Sequence, residues 1–189
     1  MSVRKMLSLG LFAGLLAVTS QVSIPLPFVP VPVTIQVFVV LITGMVLGAR
    51  GGTLCVGLWI LLGSLGLPVF AQGKAGLAVL AGPTGGFLAG FLAAAYLVGR
   101  ITESPELTLS RAGWATAAGI LAIYAFGLAG FWASFKFFLH KPMGLAQAFE
   151  LAVLPFLPLD IAKGLMAACI GVRVRRALIS AGLAYDAKQ

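Results

Sequence analysis

Charge is what this chain has least of. Of 189 residues, 10% are charged and only five are acidic, against 60% hydrophobic. A soluble domain of ordinary make-up carries about 25% charged residues, so these few charges cannot cover a water-facing surface. There is one histidine, His140, and there are two cysteines, Cys55 and Cys169, both inside apolar runs. That excludes a disulfide framework and leaves too few soft ligands for a metal site. No phosphate-binding P-loop or dinucleotide fingerprint is present, so the chain has no means of its own to hydrolyse ATP. A Ser134, His140 and Asp160 set could be drawn on paper, but no supporting motif surrounds it. Neither an enzyme nor a cofactor is expected.

The remainder reads as a polytopic membrane protein. A membrane helix needs about 20 apolar residues, and six segments qualify or nearly so: 6–24, 34–48, 51–67, 84–101, 112–135 and 158–178. A shorter helix near the membrane surface is expected at 145–154. The basic start and apolar stretch at 1–20 also fit a signal peptide. Apolar segments nevertheless continue to the C-terminus, so the first is read as a retained span. The expected fold is an all-α integral membrane protein of six transmembrane helices, a single domain over 1–189.

The net charge of +8 is not a nucleic-acid signature, because the basic residues flank the apolar segments. Arg4, Lys5, Arg50, Arg100, Arg111, Arg173, Arg175, Arg176 and Lys188 collect on one side of the predicted topology. Lys74, Lys136 and Lys141 collect on the other, a bias of nine to three. The positive-inside rule then places both termini in the cytoplasm and the loops at 25–34, 68–86 and 136–144 outside. The first of these, PLPFVPVPVT, holds four prolines, which fix φ and remove donors, so it must be extended. The second, PVFAQGKAGLAVLAGPTGG, is long and nearly apolar. Such a loop is poorly suited to water and is expected to fold back over the bundle as a re-entrant-like lid. GARGG at 48–52 reads as a tight turn between two helices.

Small residues recur at helical spacing. Gly10 and Gly14, Ala13 and Ala17, Gly86 and Gly90, and Ala89 and Ala93 each lie four apart, which lets helices approach closely. Ordinary packing within the bundle accounts for them. Thr84, in GPTGG, is a candidate helix cap facing the outer side. In the last apolar segment, PFLPLDIAKGL, Asp160 and Lys163 are the charged residues. Pro158 suits a first helical turn. Asp160 then falls where the helix dipole favours an acid, and Lys163 projects to a similar side at i+3. A structural ion pair is one reading. Ionisable groups inside a membrane segment are costly and mark substrate pathways, which is the other.

These residues also carry a family resemblance. GLPVFAQGKAGLAVLAGPTGGFLAGFLAAA (66–95) closely resembles the signature of the BioY family, the biotin-specific S components of energy-coupling-factor (ECF) transporters. PLPFVPVPVTIQVFVVLITGMVLGARGG (25–52) and PFLPLDIAKG (155–164) are similar to two further blocks of that family, so the likeness runs through nearly the whole chain in order. It implies a six-helix bundle in the cell membrane, a biotin site near the outer surface, and transport driven by a separate membrane coupling protein and two ATPases. It implies that Asp160 and Lys163 contact the biotin head group, and that the AxxxA pair Ala13 and Ala17 meets the coupling protein. Gln72 stands in the stretch where some members have an Asn that touches the ligand, and Leu159 stands where others often have a small residue. Phe70, Leu77, Lys74 and Thr84 complete the expected substrate site, with Phe70 and Leu77 covering the rings. Rival readings are an S component for thiamin or riboflavin, or a membrane scaffold whose Asp160 and Lys163 only hold the last helix. Association with further copies of itself stays open.

Overall fold

Glycine sets the sharp reversal that follows the first helix and hairpin of the chain. In the computed structural model, which describes residues 3–104, 106–141 and 143–181, helix α1 (Val3–Gln21) leads into a β-hairpin, β1 (Ser23–Leu26) and β2 (Val29–Thr34). Helix α2 (Gln36–Ser64) follows and breaks at Gly48, whose φ of 72° and ψ of −179° lie in a region open essentially to glycine alone. A Cβ built on Gly52 would lie 2.9 Å from the Gly44 Cα. Eight residues along a straight helix rise about 12 Å, so the two arms of α2 fold back on each other. GARGG is thus a turn.

The rest of the chain is α3 (Ala78–Ala81), α4 (Gly85–Thr102), α5 (Leu109–Ala133) continued by a π-helical turn (Ser134–Phe138), α6 (Leu145–Ala152) and α7 (Leu157–Ser180). Among the described residues, three helices are long and apolar enough to cross a membrane: Gln36–Ser64, Gly85–Thr102 and Leu109–Phe138. A fourth span results if α6 and α7, bent by 52°, are taken as one, and Lys5–Gln21 is apolar but shorter.

Close backbone contact builds the bundle. A Cβ on Gly44 would meet the Ala95 carbonyl at 2.6 Å, and one on Gly86 would meet the Gly130 Cα at 2.7 Å. Helix α4 therefore sits against the first arm of α2 on one side and against α5 on the other. The Gly86 pair serves internal packing, as its spacing allowed. The core between these helices is aliphatic and aromatic, with Leu41, Met45, Val56, Trp59, Val98, Ile123 and Phe131 fully buried.

The turn end of the bundle is tied by polar groups. The Glu103 carboxylate accepts from the Ala49 N–H at 3.0 Å, satisfying a free donor at the start of the second α2 arm, and pairs with Arg100 at 3.2 Å. Arg175 of α7 donates to the carbonyls of Met45, Thr102 and Ser104, and Arg111 to that of Ile101. Arg100, Arg111 and Arg175, all counted on one side of the predicted topology, are thus gathered at one end. Lys188 lies outside the described residues.

The helical fold carries one small strand element. The proline-rich loop is extended as expected, but it pairs with itself as a hairpin, with Ser23 opposite Thr34 and Leu26 opposite Val29. In a ribbon of two strands both strands are edges, so prolines lacking N–H groups can face outward. The fold is helical with this small β element.

Candidate functional site

At the end of the bundle opposite the arginines, the hairpin, both arms of α2, the 68–84 segment, α4, α5 and α7 enclose a cavity. Its walls are mainly apolar and aromatic: Trp59, Phe70, Phe87, Phe91 and Phe156, with Val31, Val37 and Ile123 between them. Trp59 orders one side. Its indole N–H donates to the Val69 carbonyl at 2.9 Å, and its ring meets Phe70 edge-on at 5.3 Å. Phe70 is 2% exposed, and its ring occupies the space a side chain at Gly63 would need. Gln21 at the end of α1 donates to the carbonyls of Pro68 and Phe70, and Ser20 to that of Val69. The start of the lid segment is therefore pinned to the bundle.

Opposite this wall stands a polar cluster. Helix α7 begins with proline in its first turn and places Asp160 there, 5% exposed. The Lys163 ammonium, on a side chain 12% exposed, donates to Asp160 Oδ1 at 2.7 Å. The Tyr124 hydroxyl, from the middle of α5, donates to Asp160 Oδ2 at 2.7 Å. A carboxylate offers about four acceptor positions, so Asp160 keeps capacity for another donor. Lys163 likewise keeps protons to give. The cluster is a pre-ordered acceptor and donor pair at the edge of an apolar slot.

Five of the expected substrate residues meet at this cavity: Phe70, Lys74, Thr84, Asp160 and Lys163. Gln72 and Leu77 do not reach its lining. The turn at 70–74 closes on itself, the Phe70 N–H on the Lys74 carbonyl and the Gly73 N–H on the Phe70 carbonyl, with Gln72 at its tip in the left-handed region. Leu77 is 70% exposed, and Val79, in the short helix behind it, faces the cavity instead. Thr84 precedes α4 but makes no capping hydrogen bond through its side chain, which lines the cavity. The paper triad is not assembled: Ser134 donates to the Ala81 carbonyl, while Asp160 is held by Tyr124 and Lys163.

Tyr124 and Gln36 went unnoticed in sequence. Tyr124 was legible as the one tyrosine in its apolar span, and Gln36 as a polar side chain four residues after Pro32. The expected partner pair, Ala13 and Ala17, lies toward the inner side of α1. Ala13 is 6% exposed and belongs to the core, and Ala17 packs against that core. The open small pair on α1 is Gly10 and Gly14, where an added Cβ would have nothing within 4 Å. The reason is phase: Leu9, Ala13, Leu16 and Ser20 form the inward stripe, and Gly10 and Gly14 lie one position past it.

An apolar helical bundle with a buried acid–base pair in a cavity at one end defines a membrane protein built to hold a small, mostly apolar ligand. The family model for BioY matches residues 1–180, and the chain belongs to the BioY family. It is a multi-pass membrane protein. It is 38% identical to the Biotin transporter BioY of Thermotoga maritima, covering 92% of this chain and 97% of that protein. It is also 38% identical to the Biotin transporter BioY of Rhodobacter capsulatus, covering 95% and 99%. Its fold matches the crystal structure of the S-component for biotin from an ECF-type ABC transporter, with a TM-score of 0.78, 25% identity and 92% of each chain covered.

Proposed function

We propose that this chain binds biotin in the outer cavity and serves as the substrate-binding subunit of an ECF-type biotin uptake system, energised by a coupling protein and two ATPases. The observation that carries this reading is the Asp160, Lys163 and Tyr124 cluster beside an aromatic slot. Biotin's fused rings suit the slot. Its ureido N–H groups suit a carboxylate, and its carbonyl suits an ammonium. The Asp160–Lys163 pair carries no net charge, so the ligand's own carboxylate falls to Lys74, which is exposed at the mouth. The family and its biotin-named relatives support the same ligand. Binding rather than bond-breaking is the role assigned to these groups.

The cavity measures about 60 Å³. A dry cavity of about 150 Å³ holds benzene, so biotin enters only if a wall parts. The 68–84 segment is the wall that moves, hinged where Gln21 and Ser20 pin its start. The test is direct. Purified protein titrated with biotin should melt at rising temperature, since a ligand at a hundred times its dissociation constant adds about 2.7 kcal/mol. Thiamin and riboflavin should leave the melting temperature unchanged. A shift with either of those and none with biotin sinks the assignment.

The topology proposed with it has six crossings, α1, the two arms of α2, α4, α5 and α7, with both termini in the cytoplasm. The clustering of Arg100, Arg111 and Arg175 around the Gly48 turn supports that orientation through the positive-inside rule. With Cys55 and Cys169 replaced, a cysteine at Lys74 should react with an impermeant thiol reagent from outside. One at Glu106 should react only after the membrane is opened. The opposite pattern reverses the orientation.

A further inference from the structure

We propose that Gln36 is a ligand-binding residue and that its carboxamide pairs with the ureido edge of the ligand. This rests on the biotin reading above and adds a residue and a contact to it. Gln36 opens α2 immediately after the hairpin, is 5% exposed and lines the cavity. Its Nε2 is buried with no hydrogen-bond partner, and among the described residues it is the only buried side-chain nitrogen or oxygen left so. The contrast with its neighbours is instructive. Thr43, Ser20, Ser134 and Asp160 are equally buried and all are paired. A buried amide donor without an acceptor is costly, and such a group in a cavity wall is accounted for by a partner that arrives with the ligand.

The chemistry of the amide selects which part of the ligand. One edge of a cyclic urea presents an N–H donor beside a C=O acceptor. A primary carboxamide presents the complementary acceptor and donor at the same spacing. Both groups are neutral, so the pair can be buried without a counter-ion. A carboxylate at this depth would need one, and the cation beside it, Lys163, is already neutralised by Asp160 at 2.7 Å. Asp160 then takes one ureido N–H, and Gln36 takes the other N–H together with one lone pair of the carbonyl, the second lone pair being left to Lys163.

The experiment uses Gln36→Met, which keeps length and removes both polar atoms. Melting temperature without ligand and dissociation constants for biotin and biotin methyl ester are measured for the parent and the variant. The unliganded variant should melt no lower than the parent, because removing an unpaired buried amide removes its penalty. It should bind biotin about tenfold more weakly, and the ester should lose the same factor. Equal biotin affinity in the two proteins overturns the proposal. So does a loss that vanishes with the ester, which would assign Gln36 to the tail carboxylate. A weaker affinity accompanied by a lower unliganded melting temperature makes Gln36 a structural residue and overturns it as well. A parent that binds no biotin overturns the underlying reading instead, a result distinct from all three.

Discussion

Asp160→Asn is expected to weaken biotin binding at least about tenfold, and by more than any other single change in the cavity. The wild-type carboxylate accepts from Tyr124 at Oδ2 and from Lys163 at Oδ1, and retains lone pairs for a ligand donor. An amide in its place turns one acceptor into a donor that would face the Tyr124 hydroxyl, the Lys163 ammonium or the ligand N–H. A hydrogen bond to a charged partner contributes roughly 1.5–3 kcal/mol, and each 1.4 kcal/mol is about tenfold in affinity. Tyr124→Phe should cost less, about threefold, because Asp160 survives and only its orientation loosens. Lys163→Met should approach the Asp160 result. Removing one member of a buried pair can also cost about 3–5 kcal/mol of stability, so each variant is first melted without ligand. Well-folded Asp160→Asn and Lys163→Met proteins that bind biotin like the parent would make the pair a helix anchor. A Tyr124→Phe loss larger than that of Asp160→Asn would mean that Tyr124 meets the ligand itself.

The two ends of this site differ in how far sequence alone could reach them. Asp160 and Lys163 stood out because charge is expensive in an apolar run, and their i, i+3 spacing on a helix opened by Pro158 left little freedom in where they could point. Phe70, Lys74 and Thr84 reached the cavity because the segment bearing them is pinned by backbone carbonyls to Gln21, Ser20 and Trp59. Gln72 and Leu77 lie in the same stretch and miss it. Their direction is set by a five-residue turn and one short helical turn, and no hydrophobic period announces such geometry. Gln36 was hidden for a different reason: it follows four prolines that read only as an extended loop. Placing it in a cavity wall required knowing that the loop pairs as a hairpin and returns to the bundle.

The reversal at Gly48 was legible because its glycines and arginine interrupt two apolar runs. The polar clamp around it was not. Glu103 lies 54 residues from the Ala49 N–H it accepts, and Arg175 lies 130 residues from the Met45 carbonyl it meets. Contacts of that separation are settled by how the helices pack. The packing follows from the sites where glycine lets backbones touch, such as Gly44 on Ala95 and Gly86 on Gly130.

The phase of α1 separates its two small-residue pairs, Ala13 and Ala17 toward the core and Gly10 and Gly14 away from it. Gly14→Trp is expected to leave the isolated protein folded and able to bind biotin, and to abolish co-purification with the coupling protein. Ala13→Trp, one residue away, is expected to fail at folding. A Cβ at Gly14 meets nothing within 4 Å, and the neighbouring Leu7, Leu11 and Val18 are exposed on the same face. An indole there costs the monomer little but blocks the close approach that small residues four apart allow. Ala13 sits in the core beside Leu9 and Leu16. Forcing extra methylenes into a packed core costs about 1–3 kcal/mol, and an indole exceeds that by several carbons. The pair of variants thus separates docking from stability on a single helix turn. The readouts are the unliganded melting temperature, biotin affinity, and recovery of the coupling protein after co-expression. Should Gly14→Trp co-purify and transport as the parent does, the coupling protein docks elsewhere. Should Ala13→Trp melt as the parent does while losing the partner, the inward stripe on α1 is misassigned and Ala13 faces the partner.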